Sequence, residues 1–225
     1  KEGMKTRLSK AQAAYENAVE NVSDLHVKIS DGNNKLGAIP SVSLIPVMDC
    51  GNCAICAKSC YDLRNDFIYK EVIKTRAINS AIYHEDPERF FKEIDGYLDY
   101  RFPRAFRFHI GGDIQDKWYL DKMCEIARKH KDTKFLAFTK MFDVCNEYLD
   151  EGNVIPENMH ILFSGWLGLK MDNRHGFPEA HPIFESGTSA PEGTRLCTGN
   201  CTECLKEDRL CWSIGKGQAV GFLAH

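Results

Sequence analysis

Two tight groups of cysteine set the terms for this chain: Cys50, Cys53, Cys56 and Cys60 in one, Cys197, Cys201, Cys204 and Cys211 in the other. The first reads C-x2-C-x2-C-x3-C and the second C-x3-C-x2-C-x6-C. Four soft thiolates within so short a span can converge on one inorganic centre, and sulfur-rich shells select iron–sulfur clusters or zinc over hard cations. The first run has the spacing that delivers thiolates to a cubane cluster, so a 4Fe–4S type centre is the expectation there. The looser second run suits a second such cluster and also a zinc ribbon, which stands as the alternative at that site. No periodic apolar face runs through Leu196 to Lys216, so this stretch is expected to be ordered by what its sulfurs hold, with Trp212 beside Cys211 as a shield or as simple packing.

A disulfide framework of the kind found in small secreted domains is the competing reading of these cysteines. At 225 residues and 43% hydrophobic content the chain can bury a real core, and it does not need such staples. No signal peptide opens the sequence and no apolar run is long enough to cross a membrane, so a reducing cytoplasm is expected and no membrane partner. The net charge is −3, and nothing in that balance advertises a polyanion, so nucleic acid is not indicated as a partner. The small basic group Arg101, Arg104 and Arg107 could as easily flank a strand.

The apolar residues Leu8, Ala11, Tyr15, Ala18, Val22 and Leu25 recur at steps of three and four, the stripe of an amphipathic helix. Leu25, Val27 and Ile29 then alternate with polar residues as a strand does, and Asp31-Gly32-Asn33-Asn34 gives a turn. The segment from Val42 to Val47, broken by Pro46, leads into the first cysteine group. A helix carrying Phe67, Val72, Ile73, Ala77 and Ile78 follows Cys60, and Asp86 with Pro87 behind it caps another. Thereafter strands and helices alternate: strand 105–110, helix 117–129, strand 134–139, helix 142–149 and strand 160–164. Such alternation through short connections implies an α/β fold with a parallel sheet, either doubly wound or a partial barrel. Residues 167–195 read as long ordered connections covering a site. Residues 1–195 are expected to form this α/β domain, and residues 196–225 a cysteine-rich extension.

In such sheets chemistry collects at the carboxyl ends of the strands. Gly111-Gly112-Asp113 follows the first strand of the series, Thr139-Lys140 the second and Ser164-Gly165-Trp166 the third. Paired glycines let backbone approach a ligand closely, and Asp113 can receive an amino group or a hydroxyl, or simply cap a helix. Gly111, Gly112, Asp113, Lys140 and Ser164 are therefore the candidate ligand-binding residues, expected to face the first cysteine group across a cavity. His109, within the strand, reads as a packed or hydrogen-bonded core histidine.

Several of these segments carry a resemblance. Cys56-x3-Cys60-Tyr61, Arg107 to Asp113, Phe138-Thr139-Lys140, the Cys197 to Cys211-Trp212 group and the closing Val220 to His225 together resemble a phage-encoded family called gene product eighty-eight. The similarity runs from about Lys35 onward and places the protein in the cytoplasm of a bacterial host. The family's pattern needs Cys50, Cys56 and Cys60 more than Cys53. It is in turn similar at two places to radical S-adenosylmethionine enzymes. Those enzymes hold a cluster on three cysteines in a loop after the first strand of a partial (β/α) barrel. They receive the cofactor's amino group at a Gly-Gly-Glu-like turn after the second.

The usual C-x3-C-x2-C order of those enzymes is absent here, and four cysteines can close a cluster completely. Two function classes follow. One is a non-catalytic iron–sulfur protein that transfers electrons, senses redox state or stabilises the fold, with a redox partner. The other is a radical-type enzyme with an open cluster, an auxiliary cluster, S-adenosylmethionine and a small-molecule substrate. A zinc-bearing adaptor is the third reading.

Overall fold

The computed structural model describes residues 2–51 and 55–223; Cys53, Ala224 and His225 lie outside them. Helix α1 (Glu2–Glu20) is followed by the short strand β1 (Ser41–Val42), then by α2 (Tyr61–Ile68), α3 (Lys70–Glu85) and α4 (Pro87–Arg101). The regular alternation comes next: β2 (Ala105–Phe108), α5 (Lys117–Lys129), β3 (Lys134–Thr139), α6 (Phe142–Asp150) and β4 (Met159–Ser164). The remainder comprises β5 (Glu179–Phe184), β6 (Gly187–Thr188), β7 (Arg195–Leu196), α7 (Cys201–Lys206) and β8 (Ala219–Leu223). Strand order is β1-β2-β3-β4-β5-β8-β7, every neighbour parallel, with β6 antiparallel on β5.

Local chemistry explains the well-formed elements. Asp116 caps α5 by accepting from the Tyr119 amide at 2.7 Å, and Tyr119, Leu120, Met123, Cys124 and Ala127 then bury one face. Asp86 caps α4 by accepting from the Arg89 amide at 3.0 Å, with Pro87 in the first turn. Strands β2, β3 and β4 are covered on both sides, as parallel sheets are. Phe106, Phe108, Phe135, Ala137, Ile161 and Phe163 pack toward the helices. Ala105, Leu136 and Leu162 pack on the opposite side with Leu210, Trp212, Ile214 and Val220. The segment after Leu196 therefore shares a core with the sheet, and its alternation 210, 212, 214 carries that burial.

Four expectations need adjustment. β2 stops at Phe108, two residues early, because His109 takes a left-handed backbone (φ 59). Residues 25–29 alternate in burial but form no strand. Their amides go to side chains: Val27 N–H donates to Glu93 Oε2 and Lys28 N–H to Asn79 Oδ1, each at 2.7 Å. The helix after Cys60 is two helices, divided at Tyr69. Within residues 167–195, β5 is a central strand rather than a connection. Pro182 disguises it, and is tolerated because β4 pairs with β5 only at residues 179 and 180. The described pairings form an open path with β1 and β7 at its ends. Among the described residues no helix is long and apolar enough to cross a membrane.

Candidate functional site

At the carboxyl ends of the strands lies a cavity of about 340 Å³. Seven cysteines line it, Cys50, Cys56 and Cys60 from the first group and Cys197, Cys201, Cys204 and Cys211 from the second. Gly111, Gly112, Asp113, Lys140 and Ser164 line it too, so the separate stretches of sequence converge on one space. The expected Cys53 contribution falls outside the described residues. None of the described cysteines is in a disulfide.

The first group is anchored by the residues around it. Val47 adopts a left-handed backbone (φ 73), costly for a β-branched residue, and its amide donates to Cys50 Sγ at 3.4 Å. Asp49 is buried; its carboxylate accepts from Ser80 Oγ at 2.6 Å and pairs with His84 Nε2 at 2.7 Å. Its carbonyl accepts from the Asp113 amide at 2.8 Å, which ties the turn before Cys50 to the glycine turn after β2. Cys60 holds the cap position of α2, and its sulfur accepts from the Leu63 amide at 3.3 Å. Burial still pushes the Cys60 thiol up to about 11, against the pull of that amide.

The second group rests on the turn at 33–37. The Cys201 amide donates to the Lys35 carbonyl at 3.0 Å and Thr202 Oγ1 to the Leu36 carbonyl at 2.9 Å. Asn200 caps α7 through the Glu203 amide, and Gly199 N–H donates to Cys197 Sγ at 3.4 Å. Trp212 is buried and its Nε1 donates to the Cys201 carbonyl at 3.2 Å, which locks the helix that carries Cys201 and Cys204. Burial, and then the neighbouring Cys197 and Cys201, push the Cys211 thiol up to about 12. The Cys211 sulfur is a thiol unless a cation replaces its proton.

The glycine turn is built by close approach. A Cβ at Gly112 (φ 80) would lie 2.7 Å from Leu44 Cβ, and one at Gly111 would lie 2.4 Å from Asp62 Oδ2. Asp113 is buried and fully used: Oδ1 accepts from Thr139 Oγ1 at 2.6 Å and from the Ile114 amide at 2.7 Å, Oδ2 from the Lys140 amide at 2.9 Å. Burial raises its carboxyl above the ordinary range, and those three donors oppose the rise. Asp113 thus clasps the end of β3 to the turn after β2, and an amino group could reach it only by displacing these donors. Lys140 Nζ donates to Ser164 Oγ at 3.0 Å and lies 5.8 Å from the centre of the Trp166 ring, bridging the ends of β3 and β4.

Asp62 and Arg107 also line the cavity, though neither was among the candidate ligand-binding residues. Asp62 and Arg76 form a buried ion pair, and Asp62 Oδ2 lacks a hydrogen-bond partner among the described residues. Arg107 points inward from β2, between the outward Phe106 and Phe108, an alternation that does signal it. Its guanidinium lies 4.7 Å from the centre of the Phe138 ring, and Nε donates to the His109 carbonyl at 3.3 Å. Burial lowers its pKa, offset by Cys201, Cys211 and Asp62 nearby. His109 itself is packed against Phe108 and Tyr119, and neither ring nitrogen has a hydrogen-bond partner among the described residues.

The sulfur geometry can be set against a single ion. Tetrahedral zinc with Zn–S near 2.3 Å holds its sulfurs about 3.8 Å apart. Among the described residues no three cysteine sulfurs lie within 4.8 Å of one another; that closeness occurs at Asp95, Asp99 and His130 on the surface, where Lys129 already pairs with both carboxylates at 2.7 Å. The cysteines thus stand wider than a lone ion requires. Amides donating into Cys50, Cys60 and Cys197 are the contacts that stabilise thiolates. Seven thiols facing one cavity are a soft donor set of the kind that binds iron–sulfur clusters or zinc.

No curated protein and no solved structure matches this chain significantly. The match to a family model is extensive, covering residues 5–167 and ending before the second cysteine group, and it shows that the chain belongs to the gene product 88 family of phage proteins.

Proposed function

We propose that this chain is an iron–sulfur protein in which Cys50, Cys56 and Cys60 hold one 4Fe–4S type cluster and Cys197, Cys201, Cys204 and Cys211 a second. The observation that carries the reading is the convergence of seven sulfurs from distant stretches on one cavity at the strand ends. Burial holds Cys60 and Cys211 as neutral thiols, so a metal centre binding them must displace their protons. Open spacing among the sulfurs supports clusters ahead of the zinc-bearing adaptor.

Between the two iron–sulfur readings, the cavity favours a catalytic role, with a partial barrel of the radical S-adenosylmethionine kind as the architecture. An electron carrier has no need of a ligand-sized space beside its centre, and this one lies at the low end of the range for small-molecule sites. A cluster with one iron left open supplies an electron to a bound sulfonium cofactor; a closed cluster only exchanges electrons. The chain's own contributions are positional. Asp113 holds the glycine turn against β3, Gly111 and Gly112 let that turn pack closely on Asp62 and Leu44, and the Lys140–Ser164 bridge fixes the opposite wall.

Anaerobic purification with iron and sulfide analysis tests the reading, followed by electron paramagnetic resonance with and without S-adenosylmethionine. Zinc without sulfide would overturn it. A spectrum changed by the cofactor supports the enzyme, and an unchanged one leaves the closed, non-catalytic protein.

A further inference from the structure

Arg107 presents a guanidinium whose terminal nitrogens are left open to the cavity. Its residue lies on the inward side of β2, and the Phe138 ring on one side and the His109 carbonyl on Nε fix the plane of its guanidinium. No oxygen among the described residues accepts from its terminal nitrogens. Asp62, the nearby carboxylate, is committed to Arg76 at 2.8 Å. Cys201 and Cys211 are close enough to feel the charge, yet neither sulfur accepts a hydrogen bond from it. Arg107 is half-buried in the cavity wall, so an anion bound in the cavity can complete the hydrogen bonding of its terminal nitrogens.

The surroundings define the rest of that ligand. Leu136, Phe138, Trp166, Pro182 and Phe222 line the same cavity and offer mainly carbon. Phe138 and Phe222 meet edge to face with ring centres 5.8 Å apart, and Lys35 Nζ lies 4.5 Å from the centre of Phe222, a second positive charge over the aromatic floor. The left-handed backbone of His109 belongs to this arrangement, since the residue held in that strained conformation is the one whose carbonyl holds Nε.

We infer that Arg107 is the recognition group for a small organic carboxylate with an apolar or aromatic body, bound between the two cysteine groups. The carboxylate accepts from the two terminal nitrogens of the guanidinium as a bidentate partner, and the body lies against Phe138 and Phe222. This goes beyond the metal reading and does not rest on it, because the recognising side chains belong to β2, β3 and β8.

Calorimetry on the anaerobically purified full chain, iron content recorded alongside, compares phenylacetate, phenylacetamide and inorganic phosphate. Phenylacetate is expected to bind at least about tenfold more tightly than the amide of the same shape. Arg107→Gln should erase that ratio, and Arg107→Lys, which keeps the charge but not the fork, should retain part of it. The unmutated protein decides the matter even if a variant fails to fold. Equal affinity for acid and amide, or no binding of either, would overturn the inference, and phosphate binding as tightly as phenylacetate would overturn the carboxylate assignment. Iron lost from Arg107→Gln, together with no acid preference in the unmutated protein, would assign Arg107 to the metal centre instead.

Discussion

The guanidinium of Arg76 and the carboxylate of Asp62 meet at 2.8 Å, both buried, directly against Gly111. Asp62 lies two residues after Cys60 and Arg76 is in α3, so this pair fixes the first cysteine group to the glycine turn. Breaking a buried pair by removing one partner leaves an uncompensated charge, so Arg76→Met should cost about 3–5 kcal/mol in urea unfolding. Gly111→Ala drives a methyl to 2.4 Å from Asp62 Oδ2 and should cost about 1–3 kcal/mol, with less iron retained. An unchanged urea midpoint in both variants would refute this account of the anchor.

His109 makes a pH prediction. Burial pushes its imidazole down to about 4, partly countered by Asp49. The unfolded chain titrates near 6.5 and so binds the proton first as the solution is acidified. Stability from neutral His109 is therefore complete above about pH 6.5 and is lost as pH falls toward 4, by on the order of 3 kcal/mol. His109→Asn keeps a residue that tolerates the left-handed backbone and removes the titration. Its stability should fall less steeply than that of the unmutated protein between those limits, and parallel curves would refute the assignment.

Replacing Cys56 by Ser should remove most of the iron from the first site and lower the melting temperature, since metal binding free energy is also folding free energy. Cys53→Ser is the informative companion. Iron content and spectrum unchanged in that variant would show three cysteine ligands there and strengthen the enzyme reading. Full iron content in Cys56→Ser would sink the site.

Trypsin should distinguish the two ways in which the second group is held. Leu210, Trp212 and Ile214 are buried, whereas Lys206 in α7 is exposed. Chelator-treated protein should be cut first near Lys206 and stay protected beyond Trp212. Equal resistance with and without metal would mean that packing alone orders the segment.

How much of this was legible follows physical lines. Helix α5 and strand β3 were readable to the residue, because an amphipathic stripe and an apolar run are local signals. β5 was not, because Pro182 and His181 look like connection until β8 is seen beside them. The residue types of the candidate site were plain in the cysteine spacing and the strand ends. What sequence withheld was commitment: Asp113 spends its oxygens on Thr139, Ile114 and Lys140, and Arg107 is left with a fork to fill. Such pairings depend on which neighbours a side chain meets across the sheet.

Strand β7 pairs with β8, while residues 197–218, with four cysteines, run between them. The two residues of β7 pair only with β8, so the loop between them must close before they dock. Anything that draws those sulfurs together shortens the search, so the order of events matters: metal present during refolding should speed the final docking step more than metal added afterwards. Equal docking rates under the two regimes would mean that the cysteines of this loop bear on the endpoint of folding and not on its pace.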